Sequence, residues 1–248
     1  MYYRFKLSIR LKITPIAISV IFLLFFSSLT LSARATNSIN ILPPGGEPYG
    51  LTYEEHIENF WKWVLSLPSN VNPWTDETGQ NCAIDQVGAN SSVFYLGNNE
   101  GGESNRICKV QSGKALFIPI SPVEINFKEA PAAKTIKDLQ AIVKNDQDGL
   151  TSLTLTIDDK QYNLQDLKKY RMPAPSGEFD VVFPQNPVFV GSAGPGPTKA
   201  VADGYYVLTE PLSKGNHTIM FTSSLACLEA DCPDPNFVQK IKYNIIAE

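Results

Sequence analysis

The sequence predicts a mainly β protein, an antiparallel β-sandwich with an amphipathic N-terminal helix and a second short helix. Three observations carry this expectation. Leu153, Leu155 and Ile157 alternate with Thr154 and Thr156, and Ile241, Tyr243 and Ile245 alternate with Lys240, Lys242 and Asn244. That period of two is the pattern of strands with one buried face. Further short apolar runs are separated by Gly- and Pro-rich turns, the spacing of a two-sheet architecture. Between residues 52 and 65 the period changes to that of a helix.

The chain opens with Arg4, Lys6, Arg10 and Lys12, followed by an apolar run from Ile13 to Leu31 and by Ala33-Arg34-Ala35. A basic start, an apolar stretch and an A-x-A exit read as a secretory signal peptide over residues 1–35. Left uncleaved, the same segment would be long enough to anchor the chain in a bilayer, the one membrane contact the sequence offers. Without it, 16 basic residues face 25 acidic ones, a net charge of −9. An acidic chain is a poor partner for nucleic acid, which needs a basic patch. A secreted or extracytoplasmic protein, free or associated with the envelope, is expected.

Residues 36–50 are polar and rich in Pro and Gly, and read as a flexible lead-in to a single domain over residues 51–248. Thr52 with Glu55 three residues on has the spacing of a capping box. Ile57, Phe60, Trp61, Val64 and Leu65 then recur at helical spacing until Pro68. Strands are expected over 93–96, 115–120 and 123–127, with Pro122 at a bend or edge. A second helix is expected over 135–143, then a hairpin turning at Asp158-Asp159, and a strand over 178–183. The Pro/Gly-rich run 184–199 reads as a long surface loop. Strands over 205–210, 217–222 and 240–245 complete the set.

Four cysteines suit an oxidising compartment and allow three pairings. Cys82–Cys108 and Cys227–Cys232 each close a plausible local loop. A zinc site is disfavoured by the absence of Cys-x-x-Cys and by only two histidines, His56 and His217.

Several phrases together resemble a group of secreted bacterial and archaeal proteins of unassigned function. They are Trp61-x-Trp63, Asp76-x-x-Gly79-x-x-Cys82, Arg106-x-Cys108, Gly113-Lys114-Ala115-Leu116-Phe117-x-Pro119, Asp203-Gly204-Tyr205-Tyr206 and Pro211-Leu212-Ser213-x-Gly215-x-His217-Thr218-Ile219. The last phrase also resembles the penultimate-strand entry of immunoglobulin-like and fibronectin-like modules. The resemblance implies export and an immunoglobulin-like or jelly-roll-like sandwich, and no activity. Asp158-Asp159 departs from the Asp-Gly expected at the hairpin, because a type I′ turn wants two positive φ values.

The segment Trp74-Thr75-Asp76-Glu77-Thr78-Gly79 is the foremost candidate site. An indole beside carboxylates could stack on a sugar face while Asp76 and Glu77 accept hydroxyl protons. The alternative is structural, with Asp76 capping its own turn and Trp74 covering a core edge. Trp61 and Trp63 lie two apart and cannot share a helix face, so one is assigned to the core and the other to an interface or a ligand. Asp76, Glu77, Asp85 and Glu124 are the acids that could form a hydrolytic pair, which must face across a cleft at about 5–10 Å.

His217 reads as a hydrogen-bonded structural histidine and His56 as solvated on the polar flank of the helix. No Gly-x-Ser-x-Gly elbow, phosphate loop or dinucleotide fingerprint occurs. Asp146 and Asp148, in Asn145-Asp146-Gln147-Asp148-Gly149, resemble part of a calcium loop, although Lys144 and Leu155 occupy the end positions of an EF-hand frame. A helix-ending turn is the simpler reading, and calcium is the one cofactor left open. Asp231-Cys232-Pro233-Asp234 is a weaker candidate of the same kind. Asn90-Ser91-Ser92 and Asn216-His217-Thr218 match glycosylation acceptors.

Three functions follow as expectations. The first is a non-enzymatic module that binds a carbohydrate or an envelope partner. The second is a secreted carboxylate-dependent hydrolase, and the third a structural component of the cell envelope.

Overall fold

The computed structural model describes residues 39–88, 91–173, 177–189, 194–226 and 236–248. The expected signal peptide, the acceptor Asn90, and the Cys227–Cys232 pair with its acidic segment lie outside the described residues.

In chain order the elements are helix α1 (Tyr53–Ser66), strands β1 (Val93–Tyr95), β2 (Gly102–Val110) and β3 (Ala115–Asn126), and helix α2 (Ile136–Asp148). Strands β4 (Leu150–Ile157) and β5 (Lys160–Asn163) follow, then the one-turn helix α3 (Leu164–Leu167). The chain ends with β6 (Phe179–Phe183), β7 (Gly196–Leu208), β8 (Gly215–Ala226) and β9 (Asn236–Ala247). The strands form two sheets, β1-β3-β7-β6 and β2-β9-β8-β4-β5.

The fold is mainly β, as the alternating patterns require, but the sheets are mixed rather than antiparallel. β1 runs parallel to β3, and β2 runs parallel to β9 over nine residue pairs. Among the described residues, all other strand pairings are antiparallel. Side-chain period fixes which face of a strand is buried, whereas direction is set by the connections, so the alternation could not reveal it.

β3 passes through Pro119 and Pro122 without stopping. Beside Pro119 the register with β7 shifts, with Pro119 opposite Tyr206 and Ser121 opposite Tyr205. Pro122 lies beyond the three residues that β1 pairs, where the ring's missing N–H leaves no ladder bond unmade on that side. The Pro/Gly-rich run ends earlier than expected because Gly196 already opens β7.

α1 starts at the expected box: Glu55 N–H donates to Thr52 Oγ1, and Thr52 N–H donates to Glu55 Oε2. Its buried residues include both Trp61 and Trp63. Trp61 Nε1 donates to Tyr206 OH at 3.0 Å, and Trp63 Nε1 donates to the Ile84 carbonyl at 2.9 Å. The expectation that one indole serves an interface or a ligand is corrected, since the loop after α1 folds back and covers the second face. His56 is corrected as well. It is 1% exposed, with Nδ1 accepting from Tyr95 OH at 2.7 Å and Nε2 donating to the Pro48 carbonyl. Burial holds it below the ordinary histidine value.

The lead-in is also anchored rather than flexible over its described part. Ile39 is buried, Ile41 bridges to Thr209, and Leu42 N–H donates to the Leu208 carbonyl. The packed domain therefore includes residues well before 51.

Cys82 and Cys108 form a buried disulfide. A bridge of this kind points to an oxidising compartment. Among the described residues, no helix is long and apolar enough to cross a membrane. The bridge ties the loop after α1 to the middle of β2, an outer strand of its sheet. In the loop-entropy account, closing 26 residues contributes about 3 kcal/mol. Replacing Cys82 and Cys108 with serine is expected to lower unfolding free energy by about that amount in urea titrations, with the native fold retained by circular dichroism.

Candidate functional site

The turn at Asp76 folds around its carboxylate. Asp76 Oδ1 accepts from Thr78 N, Thr78 Oγ1 and Gly79 N, and Oδ2 accepts from Asn81 N at 2.6 Å. Burial pushes this acid up, but the hydrogen bonds together outweigh it and hold it below the usual carboxylate value. Gly79 has φ +87, and a Cβ there would lie 2.5 Å from the Ile107 carbonyl oxygen. The turn can therefore press flat on β2, where Ile107 N–H donates to the Thr78 carbonyl.

Trp74 is 7% exposed and packs at 5.4 Å from Trp61 and edge-on at 4.9 Å from Phe189. Its indole covers a core edge and is not a surface platform. Glu77 is exposed. Trp74 and Asp76 are close in sequence, but the structure gives each a separate structural task.

Glu124 finds a different acid. Val123 and Ile125 pack against α2, so alternation turns Glu124 and Asn126 to the opposite face of the sheet. There Asn126 Nδ2 donates to Glu124 Oε1 at 3.2 Å and also to Glu129 Oε2. Glu124 is partly buried, with its carboxyl on the enclosed side, and burial followed by the charge of Glu129 raises it well above the ordinary value. Burial pushes Glu129 up to about 7. Carboxyls in hydrogen-bond contact are too close for a glycosidic bond between them, which needs about 5 Å or more.

Asp158, Ser213 and His217 form a triad-like group. His217 Nδ1 lies 3.0 Å from Asp158 Oδ2, and Nε2 lies 2.9 Å from the Ser213 carbonyl and 3.3 Å from Ser213 Oγ. A general base would need a free Nε2 lone pair facing the hydroxyl. Here Nε2 faces a carbonyl, to which it must donate. Asp158 also accepts from Thr218 N and donates its own N–H to the Thr218 carbonyl. The group is a clasp that ties the β4–β5 turn to β8. Among the two turn residues, Asp158 alone has positive φ, so the hairpin is not type I′.

Asp146 and Asp148 occupy the last turn of α2. The Asp148 carboxylate meets Lys144 Nζ and Arg171 Nη1, the latter at 2.7 Å, and these contacts lower it. The segment ends a helix, as the simpler reading expects, and Lys144 and Arg171 already hold Asp148. Among the described residues, no group of three or more His, Cys, Asp or Glu side chains could hold a metal ion. Asn216 is exposed in β8.

The same contacts line a groove of about 470 Å³. One wall is α2, with Gln140, Val143, Lys144 and Asp148, and the other is formed by Arg171, Pro173 and Gly177, with Ala202 and Asp203 from β7. Arg171 Nε donates to both Asp203 oxygens, and Nη2 donates to Asp203 Oδ2 at 2.7 Å. Asp203 is fixed in turn by Gly204 N–H. Two cations and two anions therefore hold one another in place around an apolar floor of Val143 and Ala202. Beyond the Asp203-Gly204 phrase this groove has no sequence signal, since its parts come from segments more than 20 residues apart.

No family model matches the chain, and no curated protein matches it. Solved structures that match include PbICP-C in complex with falcipain-2, at 17% identity over 63% of this chain and 98% of that chain, with a TM-score of 0.23. The cysteine protease inhibitor EhICP2 from Entamoeba histolytica matches at 12% identity over 60% and 89%, with a TM-score of 0.18. Likenesses this slight carry no argument about fold or activity.

Acid sensitivity follows from two groups. A lowered Asp76 stabilises the fold above its unfolded value of 3.8 and ceases to do so as pH falls through the depressed one. A lowered His56 likewise costs stability as pH falls below 6.5. Asp76→Asn is expected to cost about 1 kcal/mol at pH 7, allowing for the partial exposure of the turn, with the gap to wild type narrowing below pH of about 4. Urea titrations of both proteins at pH 7 and pH 3 measure this.

Proposed function

We propose that this chain is an exported, non-enzymatic binding module whose groove beside Arg171 takes a neutral polyhydroxyl ligand, a carbohydrate of the envelope or its surroundings. The two sheets are read as an immunoglobulin-like sandwich altered by its parallel pairings. Export is supported by the disulfide, by the basic and apolar start of the sequence, and by the resemblance to a secreted group.

The observation that carries the ligand class is the charge balance of the groove. Lys144 and Arg171 are already matched by Asp148 and Asp203. An ionic ligand would have to compete with those pairs, and its own charge would leave one partner uncompensated. A sugar hydroxyl both donates and accepts, so it can bond to carboxylate, ammonium and amide groups without displacing any of them. The volume lies within the range of about 300–1,000 Å³ usual for small-molecule sites, and the exposed Pro173 offers an apolar surface for a ring face. The fixed Arg171–Asp203 fork is preorganised, which spares a ligand the ordering of a long side chain.

Gln140 and Lys144 are exposed, so their replacement tests binding without disturbing the core. The oxidised protein, placed on an array of envelope oligosaccharides, is expected to retain a subset of them. Gln140→Ala and Lys144→Ala should each weaken that binding about tenfold while leaving thermal unfolding within a few degrees of wild type. Retention of no saccharide, or retention indifferent to both substitutions, would sink the reading.

A further inference from the structure

We propose that Glu124 and Glu129 hold one proton between them across the Asn126 amide, and that its loss unlatches the turn at residues 126–130. The turn is built on Asn126. Its Oδ1 accepts from Lys128 N at 2.9 Å and from Glu129 N at 3.2 Å, and its carbonyl accepts from Ala130 N at 2.9 Å. Asn126 itself is 0% exposed. Its amide has two N–H groups, and both go to the two glutamates.

One amide can satisfy a carboxyl and a carboxylate that share a proton. It cannot satisfy two carboxylates whose charges repel at contact distance in a partly buried place. Among the described residues, no cation is bonded to either acid. Lys128, on the same turn, directs Nζ to the carbonyls of Gly194 and Pro195 at 3.2 and 3.0 Å. From the loop before β2, Glu100 adds a further negative charge near Glu129. From β7, the facing group is Tyr206, a phenol that burial keeps neutral. On β6 and β7, Lys199 is held by Glu178 and Asp180.

The sign follows from the raised values. A carboxyl that titrates higher in the folded state stabilises it fully below the unfolded value of 4.5. That contribution is lost as pH rises through about 7 and beyond. The latch is therefore closed in mild acid and released in base. Its release frees the Lys128 clasp on the segment at 194–195 and loosens the lead into α2, which begins seven residues after Glu129.

Hydrogen exchange of the amides of Lys128, Glu129 and Ala130, corrected for intrinsic rates, reads the latch directly. In the wild type their opening constant is expected to rise about tenfold per pH unit above 7, while the β8–β9 ladder amides stay unchanged. Glu129→Gln, which keeps the acceptor and supplies a permanent donor, should weaken this dependence to what the burial of Glu124 alone supplies. Glu100→Gln lies outside the pair and should move the onset to lower pH, because the charge that helps hold the proton on Glu129 is gone. Exchange independent of pH in the wild type, or a dependence that persists unaltered in Glu129→Gln, overturns the proposal. If Glu129→Gln does not fold, an onset unmoved in Glu100→Gln does the same.

Discussion

The structure depends first on how α1 seats on the four-stranded sheet. Phe60, Trp61 and Trp74 meet Phe117 and Tyr206, whose rings stack at 5.6 Å, and the Trp61 indole donates to the Tyr206 hydroxyl. A helix this aromatic would be insoluble alone, and the sheet would expose its own rings without it. Tyr53 adds a second tie, accepting from Leu208 N–H while donating to the Leu42 carbonyl. One side chain thus fastens the N-terminal segment, the helix and β7 together. Polar atoms on large apolar rings give the packing a single register, since each N–H or O–H must meet its partner.

The second constraint is the protection of outer strands. β2 would present an open edge, and the Asp76 turn, held by its carboxylate and by the disulfide, lies across part of it. On the short outer strand β1, the Gln86 amide accepts from Tyr95 N and donates to its carbonyl, standing in for a neighbouring strand. Arg106, buried in β2, spends its guanidinium on Tyr243 OH and the Asn98 carbonyl and lies over the Tyr243 ring. Loops here are structural members, and that leaves little of the 60–82 segment for ligand recognition.

Much of the fold was legible because local rules were obeyed. Thr52 and Glu55 marked the start of α1, alternation marked β4 and β9, and the spacing of Cys82 and Cys108 was short enough to suggest their pairing. What escaped depended on distant chain. Trp74 looked exposed because Phe189, which covers it, lies more than a hundred residues on. His56 looked solvated because Tyr95 and Pro48 had to converge on it. Glu124 was noticed as an acid, but its true partner, Glu129, was hidden among ordinary turn residues. Arg171 carried no motif at all.

The position of β9 has a consequence in time. It lies between β2 and β8, yet follows both in the sequence. The five-stranded sheet therefore stays split into β2 on one side and the β8–β4–β5 group on the other until residues 236–247 arrive. Pairings of such long sequence separation make for slow assembly. Meanwhile two strand edges stand open to neighbouring chains. A polypeptide delivered across a membrane as an extended thread meets the same delay, and its folding is completed by whatever emerges last.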